Sequence, residues 1–405
     1  MNAQVTILTN GTVIDGTGTD PVPDGSVVIR GDRIAAVGPR APDVPPGAQV
    51  IDAEGGTILP GIIDAHVHSA ADPTVRRDLL TAGVTAVCDL GSPLDSMPQF
   101  AQERVGQDPV ARGFRAGPIL TAPGGLPDAV LHENLNYEVG TVEQARAAVA
   151  DLLGRGADVI KVYFDSGLTE SFPMLDLARA RAITEEAHAR GVLVRAHVTK
   201  VTLWELALES RVDAIEHVPK PALTETDIQT RLADSSDPEN DLRAMFRPPE
   251  YETLLPKMVE QGTIMVPTFD RGTVGALSRQ DTAQAPAHVQ AAVAIIIDEI
   301  LRIVRRFSTM GGVIALGTDY NYDNNDLSRG MPIREMEFLL RAGLTPMQVI
   351  EAGTRHAATV CGHGSELGTL EPGKLADLII VDGDPLADIK VMGKVTTVVK
   401  GGQVA

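Results

Sequence analysis

Residues 60–68, PGIIDAHVH, decide the fold. Ile62 and Ile63 open a run that stays apolar apart from Asp64 and two histidines, His66 and His68. Residues two apart on a strand share a face, so the histidines point to one side. Alone, such a pair fits either metal ligands or buried, hydrogen-bonded imidazoles. Working outward, the same kind of run recurs along the chain. GTILPGIIDAHVH (56–68), GVTAVCDLG (83–91), GPILTAPGG (117–125), ADVIKVYFD (157–165), VLVRAHV (192–198), DAIEHV (213–218), TIMVPTFD (263–270) and GGVIALGTD (311–319) make eight. Between them lie stretches such as TVEQARAAVADLLGRG (141–156) and LARARAITEEAHARG (177–191), whose apolar residues recur every three or four positions and which close on glycine. Strands apolar on both faces that alternate with helices form a parallel sheet. Eight such units predict an α/β architecture, a TIM-like (β/α)8 barrel over 58–359. An open doubly wound sheet is the second choice, but its glycine-rich first turn is missing.

The ends of the chain read differently. VTILTNGTVIDG (5–16), GSVVIRGDRIAAVG (25–38) and KVTTVVKGGQVA (394–405) carry strand alternation and hairpin turns. They predict a small β-sandwich domain built from 1–57 and 360–405. Residues 221–250 are polar, proline-bearing and too long for an ordinary βα loop. They fit a lid insertion over the barrel mouth or a plain surface insertion.

Composition narrows the class. The 405 residues carry 54 acids against 35 bases, a net charge of −19. Such a chain repels nucleic acid and anionic membrane, and no basic run offsets this. Two cysteines, Cys88 and Cys361, supply neither a disulfide framework nor a thiolate cluster. No signal peptide or membrane span is visible, so a cytoplasmic protein with a small-molecule substrate is expected. Homo-oligomers are open. Residues 368–374, GTLEPGK, match phosphate-loop spacing, but Leu375 stands where a hydroxyl is required, so a turn is expected.

The strand ends raise the weight of the histidine pair. Lys161, His197, His217 and Asp319 each fall at the C-terminal end of a predicted barrel strand, the face where this fold builds its sites. Imidazole and carboxylate suit zinc-like divalent ions. Lys161 either snorkels, pairs with an acid, or, as a neutral amine near cations, reacts with CO2 to give a bridging carbamate.

Taken together, PGIIDAHVH, the Lys161 strand, His197, His217, the GTD ending at Asp319 and the tail GTLEPGKLADLIIVDGDP (368–385) resemble the amidohydrolase superfamily over the whole chain. The tail and the Lys161 strand look most like its binuclear Xaa-Pro and Xaa-Arg dipeptidases and its imidazolone-ring hydrolases. The resemblance implies two divalent ions, Zn2+ first. His66, His68 and Asp319 would hold one, His197 and His217 the other, and carboxylated Lys161 would bridge them. Asp319 would also be the general base. His132 and Tyr163 are candidate donors to an oxyanion. Lys200, Lys220 and Arg271 stand just past ligand strands and predict a cationic collar for a substrate carboxylate. The expected activity is amide hydrolysis of a dipeptide or N-acyl amino acid. The alternatives are a cyclic-amide hydrolase or ring deaminase and a metal-free assembly protein.

Overall fold

The computed structural model describes residues 4–39, 44–103, 109–131, 133–167, 171–221, 235–279, 285–322 and 330–405. His132 and the first part of the expected lid, 222–234, lie outside the described residues.

Both termini enter one hydrogen-bonded sheet. Its strands are β1 (Val5–Val13), β2 (Val22–Arg30), β3 (Arg33–Pro39), β4 (Gln49–Asp52) and β5 (Thr57–Pro60), then a C-terminal set numbered β16 (Leu378–Val381), β17 (Val395–Lys400) and β18 (Gln403–Val404). The order is β18-β17-β16-β5-β1-β2-β3, with β4 beside β1. The antiparallel pair β5–β16, Thr57 opposite Val381, joins the two ends of the chain. The expected hairpins form at 31–32 and 401–402. The described strands are joined by hydrogen bonds into one eight-stranded sheet.

The middle of the chain alternates strand and helix. β6 (Ile62–His68), β7 (Val84–Asp89), β8 (Arg112–Arg115) and, further on, β15 (Tyr320–Asn321) form one sheet. β9 (Ile119–Thr121), β10 (Asn136–Glu138), β11 (Ile160–Phe164), β12 (Val194–Val198), β13 (Ala214–Glu216) and β14 (Ile264–Val266) form a second. All the pairings in these two sheets are parallel. β7 is buried at every residue and β6 at all but His68, as strands covered on both faces must be. This alternation fits a TIM-like barrel.

Two details depart from the sequence reading. The third strand comes in two pieces: 112–115 pairs with β7, Gly113 and Phe114 in register with Val87 and Cys88, and 119–121, inside the predicted run, pairs with the strand 160–164. The run 311–319 forms no regular strand up to Asp319. It threads between β14 and β6 instead: Met265 N donates to Val313 O (3.0 Å), Ala65 N to Leu316 O (3.0 Å) and Asp319 N to His66 O (2.7 Å). A Cβ at Gly317 would come within 2.7 Å of His66 Cβ, so the close passage requires glycine there.

Helices start and stop where their caps dictate. Thr141 accepts from Gln144 N (3.2 Å) and Asp176 from Arg179 N (2.9 Å), opening helices Val142–Gly154 and Leu177–His188. Helix Tyr251–Gln261 ends on Gly262 in the left-handed region. Among the described residues no helix is long and apolar enough to cross a membrane. The run 293–307 lies in helix Ala287–Thr309, whose Ile300, Ile303, Val304 and Phe307 enter the main core. In the turn that mimics a phosphate loop, Lys374 Nζ donates to Gly364 O (2.8 Å).

The second part of 221–250 is anchored. Helix Pro238–Met245 buries Leu242, and Arg243 and Arg247 reach Glu299 on the long helix at 3.3 and 2.5 Å. Burial alone would raise the Glu299 carboxyl, but the guanidinium bonds from Arg247 and Arg302 hold it down to about 2. Its folded pKa lies below its unfolded value, so its stabilisation is complete above about pH 4.5 and is lost as pH falls toward 2. Glu299→Gln is therefore expected to lower Tm at neutral pH and to flatten the fall of Tm between about pH 4.5 and 2, read by thermal melts across that range.

Candidate active site

Register decides which side chains meet. Lys161 pairs with Arg195 and Tyr163 with His197 across β11–β12, so all four share one face. The Tyr163 ring lies on His197, centroids 3.8 Å apart and 10° from parallel. On β13 the next residue inward is Glu216, opposite His197. His217 follows directly, and alternation would turn it away. It reaches the same site because its φ is +71°. Thr268 (φ +49°) and Asp319 (φ +61°) make the same left-handed turn at the ends of the neighbouring segments. Three non-glycine residues in this region on adjacent segments are the kind of costly backbone that concentrates where function requires it.

Two groups of donors result. His66 Nε2 and His68 Nε2 face the same Asp319 oxygen at 3.3 and 3.1 Å. These three residues converge as a metal site would require. Beside them His217 Nε2 lies 2.8 Å from His197 Nδ1, and Asp319 Oδ2 is 3.9 Å from His217 Nδ1. Burial drives the His66, His197 and His217 imidazoles below their usual pKa, so they stand neutral, the form that ligates. His68 is raised despite burial by its bond to Asp319. Burial would also raise the Asp319 carboxyl, but the imidazoles of His66, His68 and His217 keep it well below the usual carboxylate range. Neutral imidazoles around an ionised carboxylate are a donor set that fits divalent cations. Lys161 is 2% exposed, and burial, with the Arg195 charge, pushes its amine down to about 8.

The remaining nitrogens are held from behind. His66 Nδ1 donates to Glu216 Oε2 (2.7 Å), His68 Nδ1 lies 3.3 Å from Gly91 O, and His217 Nδ1 lies 2.7 Å from Thr268 Oγ1. Asp64 ties β6 to the Asp319 segment by accepting from Thr318 N (3.0 Å) and Thr318 Oγ1 (2.7 Å). Sequence reasoning gave neither Asp64 nor Glu216 a role in the site. The signal was present, since an acid inside a fully apolar strand run must be paired.

The predicted collar does not form as one feature. Lys220 and Arg271 line a cavity of about 340 Å³ together with His197, His217 and Asp319. Lys200 does not reach that cavity. It is 4% exposed and its Nζ donates to Gly167 O (2.5 Å) and faces Asp165 Oδ1 at 3.4 Å, tying β12 to the loop after β11. A four-carbon stem lets a rim lysine turn down as easily as up.

Comparison with known proteins gives a consistent outcome. The family model described as "Amidohydrolase family" matches residues 57–405. An imidazolonepropionase of Symbiobacterium thermophilum is 26% identical over 94% of this chain and 90% of its own length. An ochratoxinase of Aspergillus niger is 25% identical over 99% of this chain and 86% of its own. The crystal structure of a Xaa-Pro dipeptidase with methionine bound superposes with a TM-score of 0.75 at 24% identity, covering 99% of this chain and 100% of that one, a likeness of fold.

Proposed function

The chain belongs to the amidohydrolase family, hydrolases of carbon–nitrogen bonds, and on that premise we propose that it cleaves an amide next to a free carboxylate, as in a dipeptide or N-acyl amino acid. The observation that carries this reading is the pair Lys220 and Arg271, which line the cavity occupied by His197, His217 and Asp319. Neither side chain has an ion-pair partner among the described residues, although the protein carries a net charge of −19. Burial lowers the Lys220 amine, so an incoming carboxylate gains from its charge and restores it. Arg271 offers the planar fork that a carboxylate fits.

In this reading His66, His68 and Asp319 would hold one divalent ion and His197 and His217 the second, with Lys161, as a carbamate, the further ligand between them. The neutral Lys161 amine forms its N–C bond to CO2 and releases one proton. When bound, zinc-type ions supply a polarised carbonyl and water of lowered pKa. Asp319 takes a proton from water and passes it to the departing nitrogen. Tyr163 stays protonated, since burial raises its phenol, and its hydroxyl makes no hydrogen bond to the described residues. With its ring fixed on His197, it is a donor for the developing oxyanion, the role for which His132 is the other candidate. Residues 313–319 would complete a closed (β/α)8 ring between β14 and β6. The terminal sheet would fold on its own apolar cluster as a sandwich domain, with the catalytic barrel spanning 58–359.

Arg271→Gln and Lys220→Met are each expected to raise KM for N-acyl amino acids and dipeptides about ten- to hundredfold, the worth of a hydrogen bond to a charged group. Their amidated or esterified counterparts should change little. The test is a kinetic panel of such pairs together with cyclic ureides and lactams. Equal losses on charged and neutral members would remove the carboxylate reading. Turnover of ring compounds alone would put the imidazolonepropionase-like substrate in its place.

A further inference from the structure

The site's histidines are not equivalent. His68 and His217 have their rear nitrogens against neutral oxygens, Gly91 O and Thr268 Oγ1. Behind His197 Nε2 the nearest carboxylate, Asp165 Oδ2, stands at 3.8 Å, beyond hydrogen-bond reach, whereas His66 has one in contact, Glu216 at 2.7 Å. That carboxylate is not free to swing forward. Arg195 grips it from β12 through Nε to Oε1 (2.7 Å) and Nη2 to Oε2 (3.0 Å). The third arm, Nη1, donates to Ala65 O (2.6 Å), the carbonyl just before His66. Arg195 and Glu216 are both 0% exposed.

We infer that Glu216, clamped by Arg195, is a positioning residue that makes the His66–His68–Asp319 position the tighter of the two metal positions. The inference rests on the two-metal reading above. Three physical steps lead to it. The Glu216 bond fixes the proton of His66 on Nδ1, so the Nε2 lone pair faces Asp319. A charged acceptor pulls on that proton and makes Nε2 a stronger donor than an imidazole bonded to a carbonyl or hydroxyl. The Arg195 fork holds the Glu216 carboxylate behind the ring, so it serves as acceptor and not as a competing ligand. Arg195 thereby joins three strand segments, β12, β13 and the His66 end of β6, into one rigid backing.

The experiment is titration of the chelator-stripped full chain with Co2+, followed by its visible absorption and by competition with a chelating dye. The wild type should take up two equivalents in two steps. In Glu216→Gln the tighter step should weaken about ten- to hundredfold, the range for losing a ligand's outer partner, with a shifted cobalt band. The weaker step should stay in place, as should the melt of the metal-free protein. If Glu216→Gln strands the Arg195 charge and the protein does not fold, Arg195→Gln with Glu216→Gln removes both charges and should show the same selective loss. A folded variant that binds both equivalents as the wild type does would overturn the inference and leave the two-metal reading intact. A wild type that takes up no cation would overturn both.

Discussion

Lys161→Ala is expected to abolish stoichiometric metal uptake and to lower kcat/KM by about a hundredfold or more, since even an outer partner of a ligand costs up to that much. Lys161 lies on β11 beside Arg195, buried, with its amine pushed down to about 8. An amine so lowered is partly neutral at physiological pH and able to take up CO2. A lysine that merely fills space would behave otherwise. Its replacement by Met, which conserves volume, would leave metal content and activity unchanged. The carbamate reading requires that Ala and Met both fail, and that a short-chain carboxylate in the buffer restore part of the activity to Lys161→Ala. Metal analysis and kinetics with added formate or acetate check this. Full metal and full activity in either variant would remove the bridge. The fold should survive both changes, because Lys161 makes no hydrogen bond among the described residues that the packing depends on.

The same strand shows how far the sequence carries. Lys161, His197, His217 and Asp319 were legible because a polar residue at the end of an apolar strand run has few other reasons to be there. The structure brings the histidines together, with ring centroids of 4.4 Å for His197–His217 and 5.4 Å for His66–His217. The backbone turns that bring them there were not legible. His217 follows Glu216 directly, and only a positive φ lets neighbours on a strand serve the same site. Lys200 looked equivalent to Lys220, both three residues past a histidine, yet one is tied to Gly167 O and the other lines the cavity. Spacing fixes where a Cα stands and says nothing of where a long stem ends. The third strand was half legible: 117–125 contains β9, which pairs with β11, whereas Arg112 and Arg115 masked the segment 112–115 that pairs with β7. The terminal sheet was easier, since its hairpins carry turn residues at fixed positions. Arg195 and Glu216 left the clearest unused signal, opposite charges in two apolar runs whose strands lie side by side.

Asp319→Asn should separate binding from chemistry. Asp319 Oδ1 faces both His66 and His68, and its backbone N–H is fixed on His66 O at 2.7 Å. Asn keeps the shape and one acceptor oxygen, so the left-handed turn at this position, which Asn tolerates well, is preserved. What it loses is the negative charge and the ability to take a proton. If Asp319 accepts the proton of the attacking water and returns it to the leaving nitrogen, kcat should fall about 10²- to 10⁴-fold, the usual contribution of a positioned acid–base group. KM should move little, because Lys220 and Arg271, which line the same cavity, are untouched. Tm should stay within a few degrees: the imidazoles of His66 and His217 are already neutral, and His68, raised by Asp319, can release its proton once that charge is gone. A purely structural Asp319 predicts the opposite pattern, a lowered Tm with kcat near that of the wild type. A purely metal-holding Asp319 predicts a third, in which excess metal restores kcat. Steady-state kinetics with and without added metal, run beside a thermal melt, distinguish the three. A variant that keeps near-normal kcat without added metal would place the base elsewhere in the site.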